Sequence, residues 1–379
     1  MKDNSNAVVL EPIPQDDSLY AEWDSGAKGG EMRDDYRRYI WRKWIFIIVC
    51  IAASFIVVGI TITVGEYPIG FFEAYHIIWD HITGNISQTD IGTIKDHVVW
   101  NLRLPRILIA IIAGAGLAVA GAAMQSTLKN PLADPYTTGI SSGAAFGATI
   151  AICYGTGIVS GNLAIVVNAF VFSLIPTAMI IFIAKARKVS PVSMIMAGIA
   201  VMYIFNALTT VLKLWADPDA LAAVYQWQVG TLEGLKWSSV PLMFIVTLAG
   251  SIFLMVISNK LNILAAGDDS AKSLGIDASS LRIICLVVVS LITASIVSFT
   301  GIIGFVGLVA PHVVRLFIGS DNRFLIPASI AFGAMLLLIS DLVGRTIIAP
   351  AVLQVGVVTA FLGGPLFLWL IIRQKKEVW

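Results

Sequence analysis

Arg103 and Arg106 stand three residues apart at the head of NLRLPRILIAIIAGAGLAVAGAAMQSTLKN, and no further charge occurs until Lys129. A guanidinium carries a permanent charge and a rigid fork of N–H donors, so it suits recognition of a carboxylate or phosphate. Other chemistry is sparse. No G-x-x-x-x-G-K-[ST] occurs, and indeed no Gly-Lys pair, so the chain lacks the loop and lysine of a P-loop nucleotide site. His76, His81 and His97 share one polar segment, but their spacings match no zinc motif and read as solvated loop histidines. His312 follows Pro311 near the expected inner face, where a packing or loop-anchoring role is expected. Cys50, Cys153 and Cys285 lie far apart inside apolar runs and read as small buried hydrophobes, with no C-x-x-C pair.

The elements that position these residues are membrane spans. The 379 residues are 57% hydrophobic and 13% charged, with a mean hydropathy of +0.85, whereas soluble domains average about 25% charged residues. About 20 apolar residues cross a hydrocarbon core of about 30 Å. By that measure ten spans are expected, at 44–65, 104–126, 136–154, 161–184, 191–214, 238–258, 282–302, 304–319, 324–344 and 350–372. The eighth is short and follows the seventh after almost no loop. The predicted fold is an all-α, polytopic membrane protein. Residues 1–43 read as a polar, disordered cytoplasmic tail without a signal peptide, residues 44–374 as the transmembrane domain, and residues 375–379 as a cytoplasmic end.

Lysine and arginine bias sets the orientation. Arg33, Arg37, Arg38, Arg42 and Lys43 place the N-terminus inside, and Lys185, Arg187 and Lys188 alternate correctly with them. So do Lys260, Lys272, Arg282, Arg315, Arg323, Arg373, Lys375 and Lys376, which puts the C-terminus inside too. The segments 66–100 and 215–236 fall outside as loops, the first of them acidic. Arg103, Arg106 and Arg345 then lie outside, against the bias. Two readings are open: the arginines snorkel to lipid headgroups, or they form a positive patch for an acidic partner.

Gly139, Gly143 and Gly147 make successive small-xxx-small steps and read as helix packing devices, as do Gly301, Gly304 and Gly307. The middles of the spans are nearly bare of carboxylates, with Asp341 and Lys213 near outer ends. That disfavours ion coupling and points to a partner as the energy source. Residues 260–281, KLNILAAGDDSAKSLGIDASSL, contain a short amphipathic segment punctuated by Gly267 and Gly275. It suits either the membrane surface or a cytoplasmic protein.

The stretch RLPRILIAIIAGAGLAVAGAAMQSTLKNPLADPYTTGISSGAAFGA resembles permease subunits of type II ABC importers, the FecCD-like family of iron-chelate (siderophore), haem and vitamin B12 (cobalamin) uptake. MIMAGIAVMYIFNAL, WQVGTLEGLKW, GDDSAKSLGI, GIIGFVGLVAPHVVRL and SDLVGRTIIAPAVLQVGVVTAFLGGPLFLWLI continue the resemblance in order. It implies a non-catalytic homodimeric permease in the cell membrane, working with two cytoplasmic ABC ATPase subunits that use the ATP. It also implies an extracytoplasmic solute-binding protein, and no nucleic-acid partner or directly bound cofactor or metal. Through the same resemblance Arg103, Arg106 and Arg345 are expected to dock that binding protein. Gly267, Asp268, Ala271, Leu274 and Gly275 are expected to form the coupling helix. Ser190, Pro191, Val192 and Ser193 fall at the inner gate, where Pro191 and Val192 depart from the small polar residues of the family. Alternatives are an ion-coupled secondary carrier without an ATPase, or a same-fold importer for an oxyanion such as molybdate.

Overall fold

The computed structural model describes residues 26–65, 67–85, 89–186 and 190–373. Arg187, Lys188, Lys375, Lys376 and the tail before Gly26 lie outside the described residues. By its contacts the chain divides into two units, Met1–Ile45 and Phe46–Trp379, and the second holds the helical bundle.

Helices account for nearly all of it: α1 (Gly26–Thr63), α2 (Phe71–Thr83), α3 (Asp90–His97), α4 (Leu104–Thr127), α5 (Ile140–Tyr154), α6 (Ala164–Ala186), α7 (Pro191–Lys213), α8 (Pro218–Val229), α9 (Val240–Val256), α10 (Ser258–Ala266), α11 (Asp268–Ser273), α12 (Ala278–Thr300), α13 (Val306–Ile318), α14 (Asn322–Thr346) and α15 (Val355–Arg373). Each of the ten expected spans coincides with one of these. Among the described residues seven helices are long and apolar enough to cross a membrane, and α5, α13 and the apolar part of α15 are shorter.

The central helix is α4. Almost all of its side chains are buried, and many of them are Ala or Gly. Small side chains let neighbouring backbones come close, which drives helix association where lipid removes the ordinary hydrophobic force. A Cβ on Gly121 would collide with the Gly307 carbonyl of α13, and one on Gly114 with the Gly333 carbonyl of α14. Gly143 and Gly147 similarly admit the Phe172 and Asn168 carbonyls of α6, while Gly139 adopts a left-handed φ of 83°. Gly304 does not pack in this way; a Cβ there would meet open space. A smaller cluster joins Ile47 and Cys50 of α1 to Val314 and Ile318 of α13 and to Leu325, Ala328 and Ala331 of α14.

The two segments expected outside as loops contain helices. Residues 66–100 contain α2 and α3, and α3 runs through a π-helical turn (Val98–Arg103) into α4. The local signals are capping signals: the Gly70 N–H donates to Glu73 Oε2 at 2.9 Å, and Gly84 closes α2 in the left-handed region. In residues 215–236, Asp217 caps α8 by accepting from the Ala220 N–H at 2.9 Å.

Candidate functional site

Functional side chains gather at the two ends of α4, whose 24 residues separate them by about 36 Å. At its first end, Arg103, Arg106 and Arg345 are brought together, the last two around a shared carboxylate. Arg106 grips Asp341 through Nε at 3.0 Å and Nη2 at 2.8 Å, and Arg345 Nε lies 3.4 Å from the same carboxylate. Asp341 is 1% exposed. The Asp341–Arg345 pair spans one helical turn, as its spacing predicts.

The remaining donors reach the end of α1. Arg103 donates to the Ile62 carbonyl and, at 2.8 Å, to that of Tyr67. Arg345 donates to Thr61 at 2.8 Å and Val64 at 3.4 Å. The last carbonyls of a helix lack intrahelical partners and carry partial negative charge. The last turn of α1 has no basic residue of its own, so cations from the π-helical turn before α4 and from α14 supply that cap. The cluster holds three guanidiniums against one carboxylate and is therefore net positive. It is also largely inward-turned: Arg103 is 7% exposed.

The histidines of the segment 66–100 are paired rather than convergent. His81 Nδ1 meets Asp96 at 2.8 Å, His76 meets Asp80 at 2.6 Å, and His97 meets Asn101 at 3.1 Å. No group of three metal-ligating side chains occurs among the described residues.

At the other end of α4 lies the segment 260–281. Gly267, at φ 136°, breaks α10 from α11, and Gly275, at φ 74°, follows the last turn. Ala271 is buried, whereas Leu274 is 64% exposed. Asp268 opens α11 and is held from two sides. Lys129 Nζ lies 2.6 Å away, and Arg282 of α12 donates Nη1 at 3.0 Å to Oδ2 and Nη2 to Oδ1. These cations hold the Asp268 carboxyl down at about 2. Arg282 is 1% exposed and also donates Nε to the Thr127 carbonyl, the last residue of α4, at 3.2 Å. In the sequence, Arg282 bears on orientation alone, and Lys129 carries no assigned role. A cation at the buried start of a span was the available signal, but its partner 14 residues earlier required the fold.

Ser190–Ser193 begins α7 and forms a reciprocal cap. Ser190 Oγ accepts from the Ser193 N–H at 3.1 Å, and Ser193 Oγ accepts from the Ser190 N–H at 3.0 Å. Pro191 takes the first helical position, which needs no N–H donor. From there Val192, Met196, Ile199 and Tyr203 form an exposed apolar stripe along α7.

A bundle of apolar helices, with charged clusters at its ends, defines a multi-pass membrane protein. Comparison with known proteins gives the family: residues 47–373 match the FecCD transport family, and the chain belongs to it. MJ0087 of Methanocaldococcus jannaschii, which carries the name of an ABC transporter permease, is 42% identical over 352 residues, covering 90% of this chain and 98% of its own. The hemin transport system permease protein HmuU of Yersinia pestis is 36% identical over 283 residues, covering 74% and 85%. A solved structure described as a metal-chelate type ABC transporter in an inward-facing conformation superposes with a TM-score of 0.76 at 27% identity, covering 86% of this chain and 99% of that one.

Proposed function

We propose that this chain is the permease of an ATP-driven importer for a metal chelate, of the class of ferric siderophores, haem or cobalamin. It works as a homodimer with two cytoplasmic ATPases, and a solute-binding protein delivers the cargo from outside. Both termini are assigned to the cytoplasm. The observation that carries this reading is α11 with its buried tether. A six-residue helix is followed by the exposed Leu274, open to a partner, while Asp268, through Arg282, connects the helix to the last carbonyl of α4. Force on α11 is thereby delivered to the central helix of the bundle, the requirement for turning a partner's closure into alternating access.

Three further features support the assembly. The net positive cluster of Arg103, Arg106 and Arg345 suits acidic residues of a binding protein, which would meet Arg106 and Arg345 around Asp341. The apolar stripe of α7 suits the partner protomer along the pathway, with the inner gate at Ser190–Ser193. Asp341, the carboxylate within the apolar segments, is occupied by Arg106 and Arg345, which argues against a proton relay there. The permease itself performs no catalysis.

The test is purification of the tagged chain in mild detergent, identification of every co-purifying subunit, and reconstitution into proteoliposomes with ATP and ferric or cobalt chelates. A stoichiometric ATPase and ATP-dependent uptake are expected. A chain that stays alone after cross-linking, and takes up a chelate on an ion gradient, overturns the reading.

A further inference from the structure

Beside the coupling end of α4 is a second polar site that the transport reading does not use. A cavity of about 460 Å³ lies between the end of α4, α10 and α13, lined by Gln125, Ser126, Lys129, Asn130, His312 and Arg315 together with Leu316 and Ser320. That volume falls in the range of ligand sites, about 300–1,000 Å³.

Its charge is unbalanced. Lys129 is committed to Asp268 at 2.6 Å. Arg315, by contrast, has no carboxylate within ion-pairing distance among the described residues. Its assigned bond is from Nη2 to the amide oxygen of Gln125, at 2.9 Å. Gln125 is fixed in that orientation because its own Nε2 donates to the Leu308 carbonyl at 3.2 Å. A guanidinium has five N–H donors, and a part-buried one without an anion is costly to hold. One turn earlier on the same helix, His312 is 5% exposed and lines the cavity, and its Nδ1 has no hydrogen-bond partner. An unpaired cation calls for an acceptor-rich anion, and the buried imidazole nitrogen beside it adds a donor in the tautomer protonated at Nδ1.

The position decides which anion. Arg315 stands near the end of α13, and the next two residues, Leu316 and Phe317, are 61% and 68% exposed. Apolar side chains open to the surroundings border a polar, cationic cleft at the end of a membrane helix. That pairing matches an acyl chain running below a phosphate. We propose that this cavity binds the phosphate headgroup of an anionic phospholipid, with Arg315 as the charge partner and His312 as a second contact. The leaflet follows from the proposed function, which places this end in the cytoplasm; the site itself does not depend on an ATPase being present.

The test is native mass spectrometry of the delipidated full-length chain, titrated with dioleoylphosphatidylglycerol, dioleoylphosphatidylcholine or inorganic phosphate. Tight retention of one phosphatidylglycerol per chain is expected, together with a loss of affinity of about tenfold or more in Arg315→Gln, as for a lost charged hydrogen bond. Arg315→Lys should retain part of that affinity, and His312→Gln should show a smaller loss. Arg323→Gln, at an exposed ion pair on the same side of the fold, should bind as the native chain does. Should Arg315→Gln misfold, competition between the two lipids on the native chain decides. Equal affinity for both overturns the proposal, as does unchanged phosphatidylglycerol binding in folded Arg315→Gln. Displacement of the lipid by millimolar phosphate assigns the site to the free anion and overturns the lipid. Loss of ATPase co-purification in Arg315→Gln with lipid binding intact assigns Arg315 to a protein carboxylate, which also overturns it. A chain that binds the lipid yet never recruits an ATPase would overturn the importer reading alone.

Discussion

The guanidinium of Arg282 reaches Asp268 Oδ2 at 3.0 Å while its Nε donates to the Thr127 carbonyl at 3.2 Å. One buried side chain thus joins three elements: the start of α11, the first turn of α12 and the end of α4. The cation cannot leave for water, and the carbonyl it caps belongs to the helix against which α12, α13 and α14 all pack.

Breaking this contact should uncouple before it unfolds. Asp268→Asn removes the charge that faces a buried guanidinium, and loss of one partner of a buried pair costs about 3–5 kcal/mol at the upper end. Asp268 is 46% exposed, so a smaller cost is expected here. A double-mutant cycle of Asp268→Asn with Arg282→Gln, read by thermal denaturation in detergent, should give a coupling energy above about 0.5 kcal/mol. In the assembled importer the same variants should raise ATPase activity relative to uptake. Additive effects would show that the contact is incidental.

Leu274 and Gly275 separate docking from folding. Leu274 is exposed and Gly275 adopts φ 74°, so replacing Leu274 with Asp should abolish ATPase association while leaving the melting temperature nearly unchanged. Unchanged uptake in a Leu274→Asp, Gly275→Ala double variant with normal expression would remove α11 from the coupling role.

At the other end, Asp341→Asn leaves Arg106 and Arg345 side by side without their shared carboxylate. Lower thermal stability is expected, recovered in part by Arg106→Gln in the same chain, because like charges then no longer face each other. Arg106→Glu should weaken capture by the binding protein and make the residual interaction less sensitive to salt; surface plasmon resonance across ionic strengths measures both.

Gly121→Ala tests the core. Its Cβ would occupy the position of the Gly307 carbonyl, a backbone atom that cannot step aside. Overpacking costs about 1–3 kcal/mol or more, visible as a lower melting temperature, whereas Gly304→Ala, facing open space, should be close to neutral.

Asp134 gives a pH signature. It follows α4 and caps a short 3₁₀ turn by accepting from the Tyr136 N–H at 2.8 Å, and burial pushes its carboxyl up to about 6. Between the ordinary carboxylate range and that value the folded state binds a proton that the unfolded chain has released. Its contribution to stability is therefore greatest below about pH 4 and is lost as the pH rises through about 6. Asp134→Asn keeps an acceptor for Tyr136 and should flatten that part of the melting-temperature profile. An identical slope in the variant would discard the assignment.

Hydropathy alone placed all ten apolar segments on helices, because a backbone in lipid must satisfy its own hydrogen bonds and an apolar run of that length leaves few alternatives. Punctuation was equally local: Gly267 and Gly275 delimit α11, Pro191 starts α7, and Asp341 sits one turn from Arg345. Helices α2 and α8, between the spans, were encoded by the capping residues Gly70, Glu73 and Asp217 but are invisible to a hydropathy count. What only the tertiary structure decided is which charges meet. Arg106 and Asp341 are 235 residues apart, Arg315 and Gln125 are 190 apart, and the pairing of Gly121 with Gly307 outranks the regularly spaced glycines. Periodicity reports a helix's own faces, whereas a partner across the bundle depends on crossing geometry that no single segment carries. The three arginines illustrate both limits: their charge and their break with the lysine and arginine bias were legible in the sequence, but their use as the cap of α1 appeared only when the helix ends came together.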